Sequence, residues 1–205
     1  QALNNNESLD TVKGLAFLKE SKVHNTPVEE NIQNLDELPF PAYHLLPDLD
    51  LYKNRSRKHP IVPLVTHRGC PYSCTFCGSQ NTGFRARTPE NVLKEMEYMV
   101  TRFGVKQFDI LDDNFTLDEG RAEQILDLII SKNWNIGITF PNGLRADRLT
   151  ENLVKKMHKA GVYRTGIGIE SGNQGIVDGI KKGLKLGMVR QSIRWLRAND
   201  IIVFG

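Results

Sequence analysis

Gly69-Cys70-Pro71-Tyr72-Ser73-Cys74-Thr75-Phe76-Cys77-Gly78 holds all three cysteines of the 205-residue chain, spaced C-x3-C-x2-C. Three thiolates within so short a loop are close enough to grip one inorganic centre. Four-iron clusters are usually held by four cysteine sulfurs. With three, one iron lacks a protein sulfur, and an open position of that kind binds a substrate or cofactor, as an open catalytic zinc does. Zinc itself is the competing reading. His67 lies three residues before Cys70, so His67, Cys70, Cys74 and Cys77 make a Cys3His set. Structural zinc sites more often use paired C-x2-C units, and the chain has one such pair. Scattered cysteines are usually buried and inert, but clustering at this spacing argues against that. An odd cysteine count and no secretory segment argue against a disulfide framework.

Outward from the loop the chain falls into a strand–helix rhythm. Ile61 to His67 is apolar and rich in β-formers, and delivers the cysteines at its carboxyl end. Thr88-Pro89-Glu90 opens a helix with a cap, a first-turn proline and an acid near the positive dipole end. Val92, Met96, Met99 and Phe103 form its apolar face, and Gly104 ends it. Lys106 to Leu111 reads as a second strand ending in Asp112-Asp113-Asn114. Thr116-x-x-Glu119 is a capping box for a helix with Ile125, Leu126 and Ile129 inward. Trp134, Ile136, Ile138 and Phe140 alternate as a third strand. Leu149, Leu153, Val154 and Met157 follow on a helix closed by Gly161. Val162 to Ile169 is a fourth strand, ending at Glu170-Ser171-Gly172. A helix around Val189 to Leu196 leads to a fifth strand at Ile201 to Phe204.

Alternating strands and helices imply a parallel sheet with right-handed crossovers. The fold class is therefore α/β, a partial (β/α) TIM-like barrel truncated after about five strands, with an N-terminal extended or hairpin segment. Sites in such barrels lie at the carboxyl ends of the strands. The polar groups sit there: the cysteines after the first strand, Asp112 and Asp113 after the second, Asn142 and Arg145 after the third, Glu170 after the fourth.

Residues 1–60 read as a linker segment and 61–205 as the core, incomplete at its C-terminus. Gln1 to Asp10 is polar and flexible in character, and Lys19-Glu20-Ser21 suits a hairpin turn. The two prolines of Asn34-Leu35-Asp36-Glu37-Leu38-Pro39-Phe40-Pro41-Ala42 favour an extended path. The basic run Lys53 to Lys58 reads as a solvated loop. A net charge of +3 gives no prior for nucleic acid, and no apolar run approaches the length of a membrane span. Few cysteines and no targeting segment suggest a reducing, cytoplasmic location.

C-x3-C-x2-C with Phe76 before the third cysteine resembles the signature of the radical S-adenosylmethionine enzymes. The pre-barrel wording, Leu35-Asp36-Glu37-Leu38-Pro39-Phe40-Pro41-Ala42 with Leu45-Leu46-Pro47 and Tyr52, is similar to that of the cobalamin-binding subfamily. The resemblance runs from about Val12 to Gly205. It implies a 4Fe-4S cluster on Cys70, Cys74 and Cys77, whose fourth iron is chelated by S-adenosylmethionine. It implies a 5′-deoxyadenosyl radical that abstracts hydrogen for methyl transfer or ring closure, and an outside one-electron donor such as a ferredoxin or flavodoxin. Phe76 would meet the adenine. Asp112 and Asp113 stand where many members carry Gly-Gly-Glu, which contacts the amino group of the cofactor, so the inward member of the pair is open. Glu170 and Ser171 would meet the ribose, with Gly166 and Gly168 leaving it room. Lys182 or Arg145 would neutralise its carboxylate. None of the five histidines lies in the Asp-x-His-x-x-Gly motif that ligates cobalamin, so cobalamin would be bound by a region outside this chain. The small-molecule substrate is not implied. Two rivals remain open: a non-catalytic electron-transfer or scaffold domain, and a zinc-stabilised binding module.

Overall fold

The structure is a computed structural model and describes residues 2–52 and 56–205. Lys53, Asn54 and Arg55, half of the basic run, lie outside the described residues. The chain divides into two compact units, 1–33 and 34–205.

The first unit is a hairpin, β1 (Ala16–Lys19) paired antiparallel with β2 (Lys22–Asn25). Glu20 and Ser21 link them with φ of 52° and 62°, the left-handed pair that matches strand twist in a two-residue turn.

The second unit is built on five parallel strands. The first strand, β3, spans Ile61–Leu64. It is shorter than the Ile61–His67 expected, because His67–Arg68 (β4) turns away to pair antiparallel with Arg85–Ala86 (β5). That two-stranded clip brackets the cysteine loop. Helix α1 (Pro89–Phe103) begins on Thr88, whose hydroxyl accepts from the Asn91 N–H, and ends on Gly104 at φ 63°. Then come β6 (Gln107–Ile110), α2 (Glu119–Ser131), β7 (Gly137–Leu144) and α3 (Glu151–Lys159). The chain continues through β8 (Val162–Ile167), α4 (Gln174–Gly179), α5 (Leu186–Ala198) and β9 (Ile202–Phe204). The order is β3-β6-β7-β8-β9, and every pairing is parallel. The sheet is open rather than a closed barrel. Alternate strand residues (Val62, Leu64, Phe108, Ile110, Ile138, Phe140) join Val92, Met96, Ile125 and Leu153 of the helices in one apolar core.

Three local readings shift. Asp118, not Thr116, caps α2, its carboxylate accepting from the Arg121 N–H; Thr116 is fully buried beside Asn114. Trp134 precedes the third strand, which instead runs on to Leu144 with Gly143 at φ 80°. Helix α4 was not anticipated: six residues with one buried side chain, Val177, carry almost no periodic signal.

Residues 34–52, read as an extended linker, form three short 3-10 turns that bury Leu35, Tyr43 and Leu49. The Asp36 carboxylate accepts from the Thr88 N–H at 3.0 Å and from its hydroxyl at 2.7 Å. The Tyr43 hydroxyl donates to Glu95 at 2.9 Å, and Arg87 donates to the other Glu95 oxygen at 2.5 Å. Burial first, then the Glu95 charge, holds the Tyr43 phenol well above its ordinary pKa. The phenol therefore stays a donor. Tyr43→Phe is expected to cost about 1 kcal/mol, because Glu95 loses one of two partners. A thermal melt should show a Tm lower by roughly 3 °C.

Candidate active site

The cysteine loop leaves the carboxyl end of β3 and is fixed to the fold at both flanks. Its entry needs Gly69. With φ of 85°, a Cβ there would stand 2.2 Å from the Gly83 carbonyl oxygen, so only glycine fits. Gly78 has open space around it, so the tight-loop reading holds at Gly69 and not at Gly78. Within the loop, Cys77 N–H donates to Cys74 C=O at 3.1 Å, and Cys70 N–H to the Thr82 hydroxyl at 2.9 Å. Cys74 is buried, and Cys70 and Cys77 are partly exposed. Burial raises the pKa of the Cys70 thiol, and the Asp113 carboxylate and the thiols of Cys77 and Cys74 push the same way. Cys70 thus lies within electrostatic reach of both other thiols and of Asp113.

The two aspartates divide their labour. Asp112 is 3% exposed. One oxygen accepts from the N–H groups of Thr66 (2.6 Å) and His67 (3.2 Å), and the other from the Thr66 hydroxyl. Its second oxygen also lies 3.0 Å from His67 Nδ1. Asp112 therefore knits the end of β6 to the end of β3 and is turned away from the loop. Asp113 is exposed and reaches the loop, accepting from the Gly69 N–H at 3.1 Å and the Ser79 hydroxyl at 2.8 Å.

His67 does not join the cysteines. Its ring is fully buried, with Nε2 accepting from the Asn114 N–H at 3.3 Å and Nδ1 toward Asp112. Among the described residues no three His, Cys, Asp or Glu side chains meet at a point that holds a single ion. A zinc ion with bonds of about 2.3 Å requires such a meeting, whereas a four-iron cluster gives each cysteine an iron of its own. His67, held by Asn114 and lying beside Asp112, stands outside a Cys3His set, and the donors left on the loop are the three cysteines, the ligand type a four-iron cluster takes.

The opposite flank is held by the segment after α4. Thr75 N–H donates to the Ile180 carbonyl at 3.0 Å. Lys182 Nζ lies 5.6 Å from the Phe76 ring centroid and 2.8 Å from Glu170 Oε1. Arg145 lies over the Tyr72 ring at 3.7 Å, donates to the Lys182 carbonyl at 2.8 Å, and grips Asp147 with two bonds of 3.0 Å. Burial alone would lower the pKa of its guanidinium, but the Asp147 bonds outweigh that and raise it. Arg145 is thus spent on the loop and on Asp147. Ser171 accepts from the Asn173 N–H at 3.1 Å at the entry to α4. The space at Gly168 is already taken: a Cβ would stand 3.0 Å from Lys182 Nζ and 3.1 Å from Glu170 Oε1. Asp113 thus reaches the loop from one side and Lys182, paired with Glu170, approaches Phe76 from the other, while Asp112 bonds the end of β3 and Arg145 packs on Tyr72 and grips Asp147.

Sequence reasoning missed Tyr72, Ser79, Thr66 and Arg121. Tyr72 lies inside the motif, so its aromatic ring between two cysteines was a usable signal. Arg121 had none: it is a buried cation on α2 that donates to the Thr66 and Arg87 carbonyls at 2.7 and 2.8 Å, and burial lowers its pKa.

Residues 64–205 match the family model of the radical S-adenosylmethionine superfamily. The chain is 34% identical over 186 residues to an uncharacterized methyltransferase of Pyrococcus horikoshii, covering 89% of this chain and 39% of that protein. It is 30% identical over 208 residues to an anaerobic magnesium-protoporphyrin IX monomethyl ester cyclase of Synechocystis, covering 98% and 40%. The solved structure of the cobalamin-dependent S-adenosylmethionine radical enzyme OxsB with aqua-cobalamin bound superposes with a TM-score of 0.76 at 25% identity, covering 98% of this chain and 30% of that one. The chain belongs to the radical S-adenosylmethionine superfamily. Its members are enzymes that use a 4Fe-4S cluster and S-adenosylmethionine. The chain spans about two fifths of the length of these curated relatives. No helix among the described residues is long and apolar enough to cross a membrane.

Proposed function

We propose that this chain is the radical-generating core of a methyltransferase or cyclase. Cys70, Cys74 and Cys77 would hold the 4Fe-4S cluster, and S-adenosylmethionine would bind beside it. The observation that carries the reading is the meeting, at the carboxyl end of a parallel sheet, of three cysteines on one loop with a carboxylate, Asp113, tethered to that loop. The cluster, held there, would supply the electron for reductive cleavage of S-adenosylmethionine, and so the radical that C–H functionalisation needs.

The chain's own residues bind and orient. Asp113 suits an ammonium by charge-assisted hydrogen bonding, and Lys182 suits a carboxylate once it exchanges Glu170. Glu170, freed in that exchange, presents acceptors for hydroxyl groups. Phe76, 56% exposed beside the thiols, offers a flat apolar surface and its backbone to a purine. The relatives named methyltransferase and cyclase support methyl transfer or ring closure as the outcome. Cobalamin, held by a region outside this chain, and a ferredoxin or flavodoxin donor complete the proposal. Cytoplasmic location and a small-molecule substrate belong to the same reading.

The test is anaerobic reconstitution of the full-length protein with iron and sulfide, followed by electron paramagnetic resonance with and without S-adenosylmethionine. A reduced-state signal that shifts on adding S-adenosylmethionine is expected. Stoichiometric zinc, or a signal indifferent to S-adenosylmethionine, would sink the reading.

A further inference from the structure

The sheet face turned away from the helices carries a polar rung that the site above leaves unused. In the parallel register Pro63 pairs with Asp109, Asp109 with Thr139, Thr139 with Arg164, and Arg164 with Ile202. Residues paired across strands share a face. On β3, β6 and β7 their chain neighbours, Val62, Leu64, Phe108, Ile110, Ile138 and Phe140, point into the apolar core instead. Thr139 Oγ1 donates to Asp109 Oδ1 at 2.5 Å, and Gln107 Nε2 donates to the same oxygen at 3.2 Å. Below them Tyr163, the extra residue at a register shift between β7 and β8, donates to Gln107 Oε1 at 2.9 Å and closes the floor. The Arg164 guanidinium lies 6.0 Å from that ring and is partly buried, with no carboxylate partner among the described residues.

A guanidinium with no carboxylate beside it keeps its donors for an anion. Its planar fork matches the two oxygens of a carboxylate or phosphate. Pro63 and Ile202 close the rung with apolar surface at either end. We propose that this rung anchors the substrate, with Arg164 taking an oxyanion at one end of an apolar body. The proposal rests on the reading of the cysteine loop as the radical source.

The probe is phenyl phosphate, with benzyl alcohol as the neutral counterpart, titrated calorimetrically into the reconstituted full-length protein. The wild type is expected to bind phenyl phosphate, and Arg164→Gln to bind it at least tenfold more weakly. Arg164→Lys should fall between, since it keeps the charge and loses the fork. Arg190→Gln, an exposed change on α5, should match the wild type. Benzyl alcohol should not distinguish Arg164→Gln from wild type. The paramagnetic shift with S-adenosylmethionine should persist in Arg164→Gln, showing an intact fold. Equal binding by wild type and Arg164→Gln, or none by wild type, with that shift present overturns the anchor alone. Absence of the shift in the wild type overturns the radical reading and the anchor with it.

Discussion

Cys74→Ala in the full-length protein is expected to take the iron content after reconstitution from about four per chain to near zero. Cys74 is the most buried of the three thiols and sits at the middle of the motif. Its loss would take one of the three thiolates from the cluster proposed there. Cleavage of S-adenosylmethionine should fall by more than roughly 100-fold, the upper end of what losing even an outer-shell partner costs a metal site. The backbone should not notice. The loop is tied through Gly69, Thr75 and Ser79 rather than through Cys74 Sγ, so the circular dichroism of apo Cys74→Ala should overlay that of the apo wild type. Retention of four irons by Cys74→Ala would remove this thiol from the ligand set.

Asp112→Ala should fail in a different way, by losing stability rather than cofactor. The substitution strands the N–H groups of Thr66 and His67 and the Thr66 hydroxyl, and leaves the His67 ring facing a void. Breaking a buried charged cluster of this kind costs about 3–5 kcal/mol. In a domain of this size that is a fall of roughly 10 °C in Tm. Asp113→Ala removes two bonds at an exposed carboxylate and should leave Tm within about 2 °C, since each such bond is worth little in water. Differential scanning calorimetry of the two variants separates the roles. Equal melting of Asp112→Ala and wild type would show that Asp112 is not the staple between β3 and β6.

The fold was largely legible because five strands and their helices carry strong, regular periodicity, and because the thiols, Asp113 and Glu170 follow strands. What escaped follows from specific physics. Nothing local says which of two adjacent aspartates turns inward; the choice was made by Thr66 and His67, 45 and more residues away along the chain. The packing of Arg145 on Tyr72 and its bonds to Asp147 are tertiary, and no local signal marks them. Residues 34–52 were read as a linker because two prolines suggest extension, while the buried Tyr43 to Glu95 bond that docks them spans 52 residues. The His67 set was plausible on spacing, but the His67 ring lies beside the buried Asp112 and away from the cysteines.

The cysteine loop is anchored on both sides by groups that owe nothing to metal: Asp113 on one flank, Ile180 and Arg145 on the other. In a zinc finger the binding energy of the metal is the folding energy, and removing the ion unfolds the chain. Here the ordering entropy of the loop is met in advance by the surrounding scaffold. Oxidative loss of the cluster would therefore leave a native chain with its three thiols still presented, and repair would amount to reinsertion, without refolding or degradation.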